Sequence, residues 1–562
     1  MRRTVAIVAI GIFIGAGAFA IANLIFSSQS NTTPAPISSH LMVRMLSDAR
    51  TVDPAAHPPE IAENSLQNLT ELARLWQPFD HDPKKEELWD RFEQQFAPRL
   101  AVDKNVETTR DRQRRVMFGV GTNPWYFDLV EEALDDQIQM QQLEPLDPDR
   151  RQAIISALYD FDLYIDFSDA VPLRIRRSTF PDPTPAEHGL TESTLHSVIR
   201  RAAEHENARA LIRELADAGG VPGDFFTLHS YLDKEESDQF IDLVHRLNIL
   251  TGTWDHIDRG FQLACREQRW DDAADLFQDH AAIVQSHPTW PTIHTFLLRN
   301  TAISRLSHMG KQAALIEQFP AEHAAMFESL LADLDQPRWA DLALATQGLL
   351  FEFRGNILTA INNAHHLDSP EPAEPWLSMT SVERQSAFDE IGEVLHSIAS
   401  PSPPNTSKID EINEKYELED VRLFKTISAT RSSCLTLTTE TRLTRIALRL
   451  RSYIADHGDP PASLEVLASA DGLLIPQDPY APDGQFRYMQ SAPELLAACI
   501  DAPYLLYSVG YDQLDNGGLP PRFDPSRADP CNLQLPRSVA FHEYDYPADF
   551  PFGWYERANA AN

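Results

Sequence analysis

Residues 5–26 form an apolar run in which Asn23 is the one strongly polar member, and Arg2 and Arg3 stand just before it. At about 1.5 Å of rise per residue, a helix over this run reaches about 33 Å, enough for a hydrocarbon layer of about 30 Å. No Lys or Arg follows until Arg44. The positive-inside bias therefore predicts a cytoplasmic tip over residues 1–4 and a transmembrane anchor over 5–26. The rest of the chain falls on the periplasmic, or at least extracytoplasmic, side of a cell inner membrane. Cleavage is the alternative, because Ala16-Gly17-Ala18 and Ala18-Phe19-Ala20 have the small residues a signal peptidase needs. Apolar residues continue beyond both, through Leu24, Ile25 and Phe26, which favours the anchor over a secreted product. Either way the protein is exported. No Cys follows the run, so a lipid anchor at this place is excluded.

The formal charge of −35, from 48 Lys and Arg against 83 Asp and Glu, repels phosphate backbones and argues against a nucleic-acid partner. The basic cluster Arg110, Arg112, Arg114 and Arg115 is short enough to be a solvated patch. With 40 Pro and only 22 Gly, the chain suits helices parted by Pro-marked loops. Its length predicts several domains. Cys265, Cys434, Cys499 and Cys531 are too few and too scattered for a disulfide scaffold or a zinc site. Cys499 and Cys531 share the last segment and are able to pair in an oxidising compartment, with buried free thiols as the alternative.

The expected fold is mainly α: the anchor, a large irregular helical domain, solenoid-like or bundled, and a small C-terminal α+β module with antiparallel strands. Residues 27–40 read as a polar linker. The helical domain covers 41–398. Trp254, Ile257, Phe261, Ala264 and Cys265 recur at spacings of three and four, as do Ala273, Leu276, Phe277, Ala281 and Val284. Further helices are expected near 147–166, 191–218, 237–250, 340–365 and 381–397. No fixed repeat period survives counting. A Pro/Ser linker at 399–408 precedes a module over 409–530, and 531–562 reads as a tail. The module opens with a helix whose apolar stripe is Leu443, Ile446, Ala447, Leu450 and Ile454, stopped by Gly458, Pro460 and Pro461. Arg442, Arg445 and Arg449 line another face, read as solvated or as docking an acidic surface. Alternation at 485–489 and 504–509 predicts strands, with turns at Asp478-Pro479 and Asp483-Gly484.

Five pieces occur in order between residues 441 and 518. They are Leu450-Arg451-Ser452-Tyr453 with His457-Gly458; Pro461-Ala462-Ser463-Leu464-Glu465-Val466-Leu467; Pro476-Gln477-Asp478-Pro479-Tyr480; Phe486-Arg487-Tyr488; and Tyr507-Ser508-Val509-Gly510-Tyr511-Asp512. In order and spacing this segment resembles the C-terminal part of the type II secretion system major pseudopilin. The resemblance implies a long helix packed on a small antiparallel sheet, followed by a calcium-binding loop. Asp512 then falls on the family's carboxylate position and the Val509 carbonyl on a backbone ligand, with Asp515 and Asn516 as nearby oxygen donors. The family's downstream carboxylate has no counterpart, since Gly517-Gly518 runs into Leu519-Pro520-Pro521. The pilin processing signal is absent, residues 491–503 look inserted, and roughly 400 residues part the anchor from the module. A fibre subunit is therefore not expected.

Other candidates have plainer readings. Asp271, Asp272 and Asp275 spell a magnesium-binding pattern, but without a second acidic motif they read as an acidic first helical turn. His365 and His366 diverge on a helix, so they make a poor metal site. Trp125, Tyr126 and Phe127, and the aromatic residues of 550–555, read as core before binding surface. No hydrolase motif occurs. The expected function is an outward-facing interaction or assembly protein of the bacterial cell envelope. The alternative is an exported hydrolase with its site in a groove of the helical domain.

Overall fold

A computed structural model describes residues 83–96, 124–140, 192–220, 236–286, 293–335, 338–366, 374–402, 404–416, 418, 423–491, 503–510, 513, 515, 517 and 550–551. The expected anchor at 5–26 and the expected helix at 147–166 lie outside them. Among the described residues no helix is long and apolar enough to cross a membrane.

The described elements are mainly helical: α1 (Pro83–Phe96), α2 (Pro124–Met140), α3 (Glu192–Ala203), α4 (Glu206–Asp217), α5 (Glu236–Arg266), α6 (Trp270–Gln285), α7 (Ile293–Leu315), α8 (Ala321–Leu334), α9 (Trp339–His366), α10 (Glu374–Leu377), α11 (Ser381–Ile398), α12 (Thr406–Tyr416), α13 (Leu423–His457) and α14 (Leu464–Asp471). A small sheet follows, of β1 (Arg487–Met489), β2 (Leu505–Ser508) and β3 (Phe550–Pro551), in that order. Both pairings are antiparallel, with Tyr488 opposite Leu506 and Ser508 opposite Phe550.

Local chemistry sets many of the boundaries. Thr380 and Glu383 form a reciprocal capping box at the start of α11. Ser463 accepts the Val466 amide at the start of α14, and Gly472 ends that helix in the left-handed conformation. Gly458 stops α13 as its sequence implies, at φ +84°. The turn after α4 is tighter. Gly220, at φ +83°, lies so close to α6 that an added Cβ would fall 1.9 Å from Ser286 Oγ and 2.9 Å from the Ile283 carbonyl. Gly220→Ala is expected to destabilise the fold by about 1–3 kcal/mol, from backbone strain and the clash together. A urea midpoint equal to the parent's would refute this.

Both apolar stripes read from the sequence are buried, Trp254 to Cys265 on α5 and Ala273 to Val284 on α6. The expected helix at 237–250 does not end there but continues as one helix of 31 residues through Arg266. Among the described residues two large hydrophobic clusters stand out, beside a small one of Tyr480, Ala481 and Val509. The first gathers α1–α8, the C-terminal half of α13, α14 and the strands β1 and β2; the second gathers α9–α12 with the starts of α7 and α13. Helix α13, of 35 residues, contributes Leu423, Phe424, Ile427 and Cys434 to the second cluster and Leu443, Ile446, Ala447, Leu448 and Leu450 to the first. It lies along α7 and α8, and Gly310 of α7 gives it room beside Thr444. The break expected at 399–408 is thus a break in helix but not in packing, because the helices on either side share one core.

Two imidazoles are sealed inside the first cluster's helices. Burial lowers the His256 pKa to about 3, helped by the charges of Arg209 and His205. Burial likewise lowers His280 to about 3, helped by Arg305 and opposed by a hydrogen bond between its Nε2 and the Ala302 carbonyl. Both are neutral in the fold, whereas in the unfolded chain they take up protons below about pH 6.5. The unfolded state then binds more protons, so stability is complete above that pH and is lost as pH falls toward 3. Each histidine contributes a slope of about 1.4 kcal/mol per pH unit in that window. Asp279, which burial raises to about 6, acts in the opposite sense between its normal range and 6. Urea midpoints measured from pH 7 to pH 4 are expected to fall steadily, and a flat profile would contradict the account.

Candidate functional site

The basic stripe and the expected calcium ligands lie toward the C-terminal end, where α13 meets α8, α14 and the sheet. The basic stripe of α13 is largely buried rather than solvated. Arg445 donates from Nε and Nη2 to Glu328 Oε1 of α8, at 3.0 and 2.8 Å, and from Nη1 to Asp335. Arg442 donates to the other oxygen of Asp335 at 2.7 Å and to the Gln477 carbonyl at 2.8 Å. Arg449 grips Asp471 with two bonds, of 2.7 and 2.9 Å, and donates to the carbonyls of Leu473 and Leu474 at 2.9 Å each. The acidic surface that the stripe docks belongs to this same chain. A rigid guanidinium fork that donates in several directions suits this work better than an ammonium.

Arg431, further back on α13, has the same role at the other end. Its side chain donates to the carbonyls of Ser400, Pro401 and Ser402 at 3.3–3.4 Å and lies over the Trp339 ring. The Pro/Ser stretch is held at its start by these bonds. Nothing in the local sequence pairs Arg431 with residues about 30 positions earlier, so spacing could not have revealed the contact.

The sheet end is organised by two carboxylates. Asp478 is buried, and its Oδ1 accepts from Ser508 Oγ at 2.8 Å and the Tyr480 amide at 3.0 Å. Its Oδ2 accepts from the Val509 amide at 3.3 Å. Burial raises its pKa against these bonds. The Asp478-Pro479 turn read from the sequence is therefore tied to the end of β2. Asp515 accepts from Tyr507 Oη at 2.7 Å, the Gly517 amide at 3.0 Å and Arg487 Nε at 3.2 Å. Burial works to raise its pKa, but these partners outweigh it and hold the carboxyl below its usual range.

Of the four expected calcium ligands, Val509 and Asp515 are placed on this loop, while Asp512 and Asn516 lie outside the described residues. Val509 is buried, its amide committed to Asp478. Asp515 serves Arg487, so a cation there would have to displace a guanidinium. Among the described residues, no three His, Cys, Asp or Glu side chains are grouped to hold a metal ion.

The remaining candidates are spread through the helical part. Asp271 and Asp272 stand in the first turn of α6. Asp272 pairs with Arg269, and Asp275 with Arg213 at 3.1 Å, so the acidic pattern ties α6 to its neighbours. His365 and His366 end α9, and Trp125, Tyr126 and Phe127 open α2. Phe550 and Pro551 form β3, pairing with β2 in a region expected to be a tail. Cys265 and Cys434 are buried free thiols whose pKa values burial raises; Cys499 and Cys531 lie outside the described residues. What this arrangement does chemically is to fasten helix to loop and loop to strand. Compared with known proteins, the chain matches no family model, no curated protein and no solved structure.

Proposed function

We propose that this protein is a single-pass, membrane-anchored protein of the bacterial cell envelope, with an outward-facing helical body that works in interaction or assembly. The observation that carries the reading is the apolar run at 5–26 behind Arg2 and Arg3, with no basic residue before Arg44. The structure's use of its polar residues is compatible with a scaffold. The arginines of α13 are committed to Glu328, Asp335, Asp471 and loop carbonyls, and His256, His280, Cys265 and Cys434 are buried in the packing. The likeness of 441–518 to pseudopilins makes secretion or envelope assemblies the partners to look for, and calcium the ion to try on the loop after β2.

Topology reporters at the C-terminus test the placement. An alkaline phosphatase fusion should be active and a green fluorescent fusion dark; the reverse result would overturn the reading. Purification of the full chain from solubilised membranes should then recover envelope proteins. Isothermal titration of the same chain with calcium should give heat that Asp512→Asn abolishes, and no heat would remove calcium from the proposal.

A further inference from the structure

Several threonines of α13 bond back along their own helix. Thr436, Thr438 and Thr439 donate their hydroxyls to the carbonyls four residues back, at 3.1, 2.8 and 2.9 Å. Thr441 forgoes that bond, although its Oγ1 is buried and has no other partner in the protein. It lines a cavity of about 20 Å³ between α7, α13, the C-terminal end of α8 and Arg338. Asn300 and Arg338 line the same cavity. Asn300 directs its Nδ2 to Cys434 Sγ at 3.6 Å, leaving its buried Oδ1 without a partner, and Arg338 Nη1 is buried and unpartnered as well.

We propose that this cavity is a built binding site for a single water molecule, held by Arg338 Nη1, Asn300 Oδ1 and Thr441 Oγ1. The size fits one molecule, since a buried water needs roughly 10–15 Å³ of such space. The chemistry fits too. The guanidinium donates to the water oxygen, the water donates to the amide oxygen, and the hydroxyl completes a third bond in either direction. Three bonds is the usual complement of a buried water. A dry cavity would leave each of these polar atoms unsatisfied, at about 1–3 kcal/mol apiece. An anion fits less well, because the Asn300 carbonyl and the Asp335 carboxylate border the same space. Asp335 is itself occupied by Arg442 and Arg445. The water would tie α7, α13 and Arg338, the residue just before α9, together beside the arginine cluster.

A high-resolution crystal structure of the full chain grown with bromide tests this. The expected result is one non-anomalous peak within roughly 2.7–3.2 Å of all three atoms. In Thr441→Val, which keeps the shape and removes the hydroxyl, the peak should fall to roughly half occupancy or less. An anomalous bromide peak, an empty cavity, or the three side chains bonded directly to one another would each overturn the proposal. An undiminished peak in the valine variant would also overturn it. If that variant does not fold, the parent map still decides.

Discussion

Phe327→Ala is expected to remove about 3–5 kcal/mol of stability, the range for deleting a fully enclosed aromatic ring. Phe327 lies on α8 with no exposed surface, and its ring stacks on Phe277 of α6 with centroids 3.7 Å apart and planes 5° from parallel. Phe261 of α5 meets the same ring at 6.1 Å and Phe319 at 5.3 Å, so the cavity left behind would open where three helices meet. These neighbours hold one another in place, so little collapse into the space is expected, and the upper part of the range applies. Phe327→Leu should lose less, about 1–2 kcal/mol, because most of the volume stays. In urea the midpoint should drop while the slope holds, which separates lost packing from a change in the unfolded chain. A loss below about 1 kcal/mol for the alanine variant would show that the ring stack is not the keystone of the first cluster.

The second large effect should come from Asp335→Asn. The carboxylate is buried and is the common partner of Arg442 and Arg445, so neutralising it leaves two enclosed guanidiniums with only Glu328 to compensate them. Breaking a buried pair by removing one partner costs about 3–5 kcal/mol. Replacing Glu328, Asp335, Arg442 and Arg445 together by apolar residues of similar volume should recover most of that loss, since the whole cluster's desolvation is then avoided. Because Arg442 also holds the Gln477 carbonyl, hydrogen exchange of the 477–484 turn should quicken in Asp335→Asn and stay slow in Phe327→Leu. If the single substitution proves as harmless as a surface change, the cluster is better solvated than its geometry indicates.

Much of the helical architecture was legible because apolar residues recur with the helical period. The stripes on α5, α6 and α13, the stop at Gly458, and strands β1 and β2 all follow from spacing and turn chemistry. Where the reading failed, the deciding contact was distant in sequence. Nothing near Arg442 or Arg445 announces Glu328 and Asp335, more than a hundred residues earlier, so a basic stripe looks solvated until its partner helix is in place. Asp478 is similar: Asp-Pro marks a turn, but only the arrival of β2 makes its carboxylate buried and shared. The join between the helical part and the C-terminal module misled for a related reason. Serine and proline end a helix wherever they cluster, yet they say nothing of whether the next helix packs back onto the same core. Asp515 was singled out only as an oxygen donor near the expected calcium loop, and nothing in the local sequence foretold Arg487 on its carboxylate.

A single rod shared by two interiors also sets their relative phase. Each residue of an α-helix turns the chain by about 100°, so one residue inserted in α13 between Cys434 and Leu443 would swing every later side chain by that angle. Leu443, Ile446 and Leu450 would leave their cluster together, and Arg445 would face away from Glu328. The helix therefore acts as a ruler whose graduations both halves must obey.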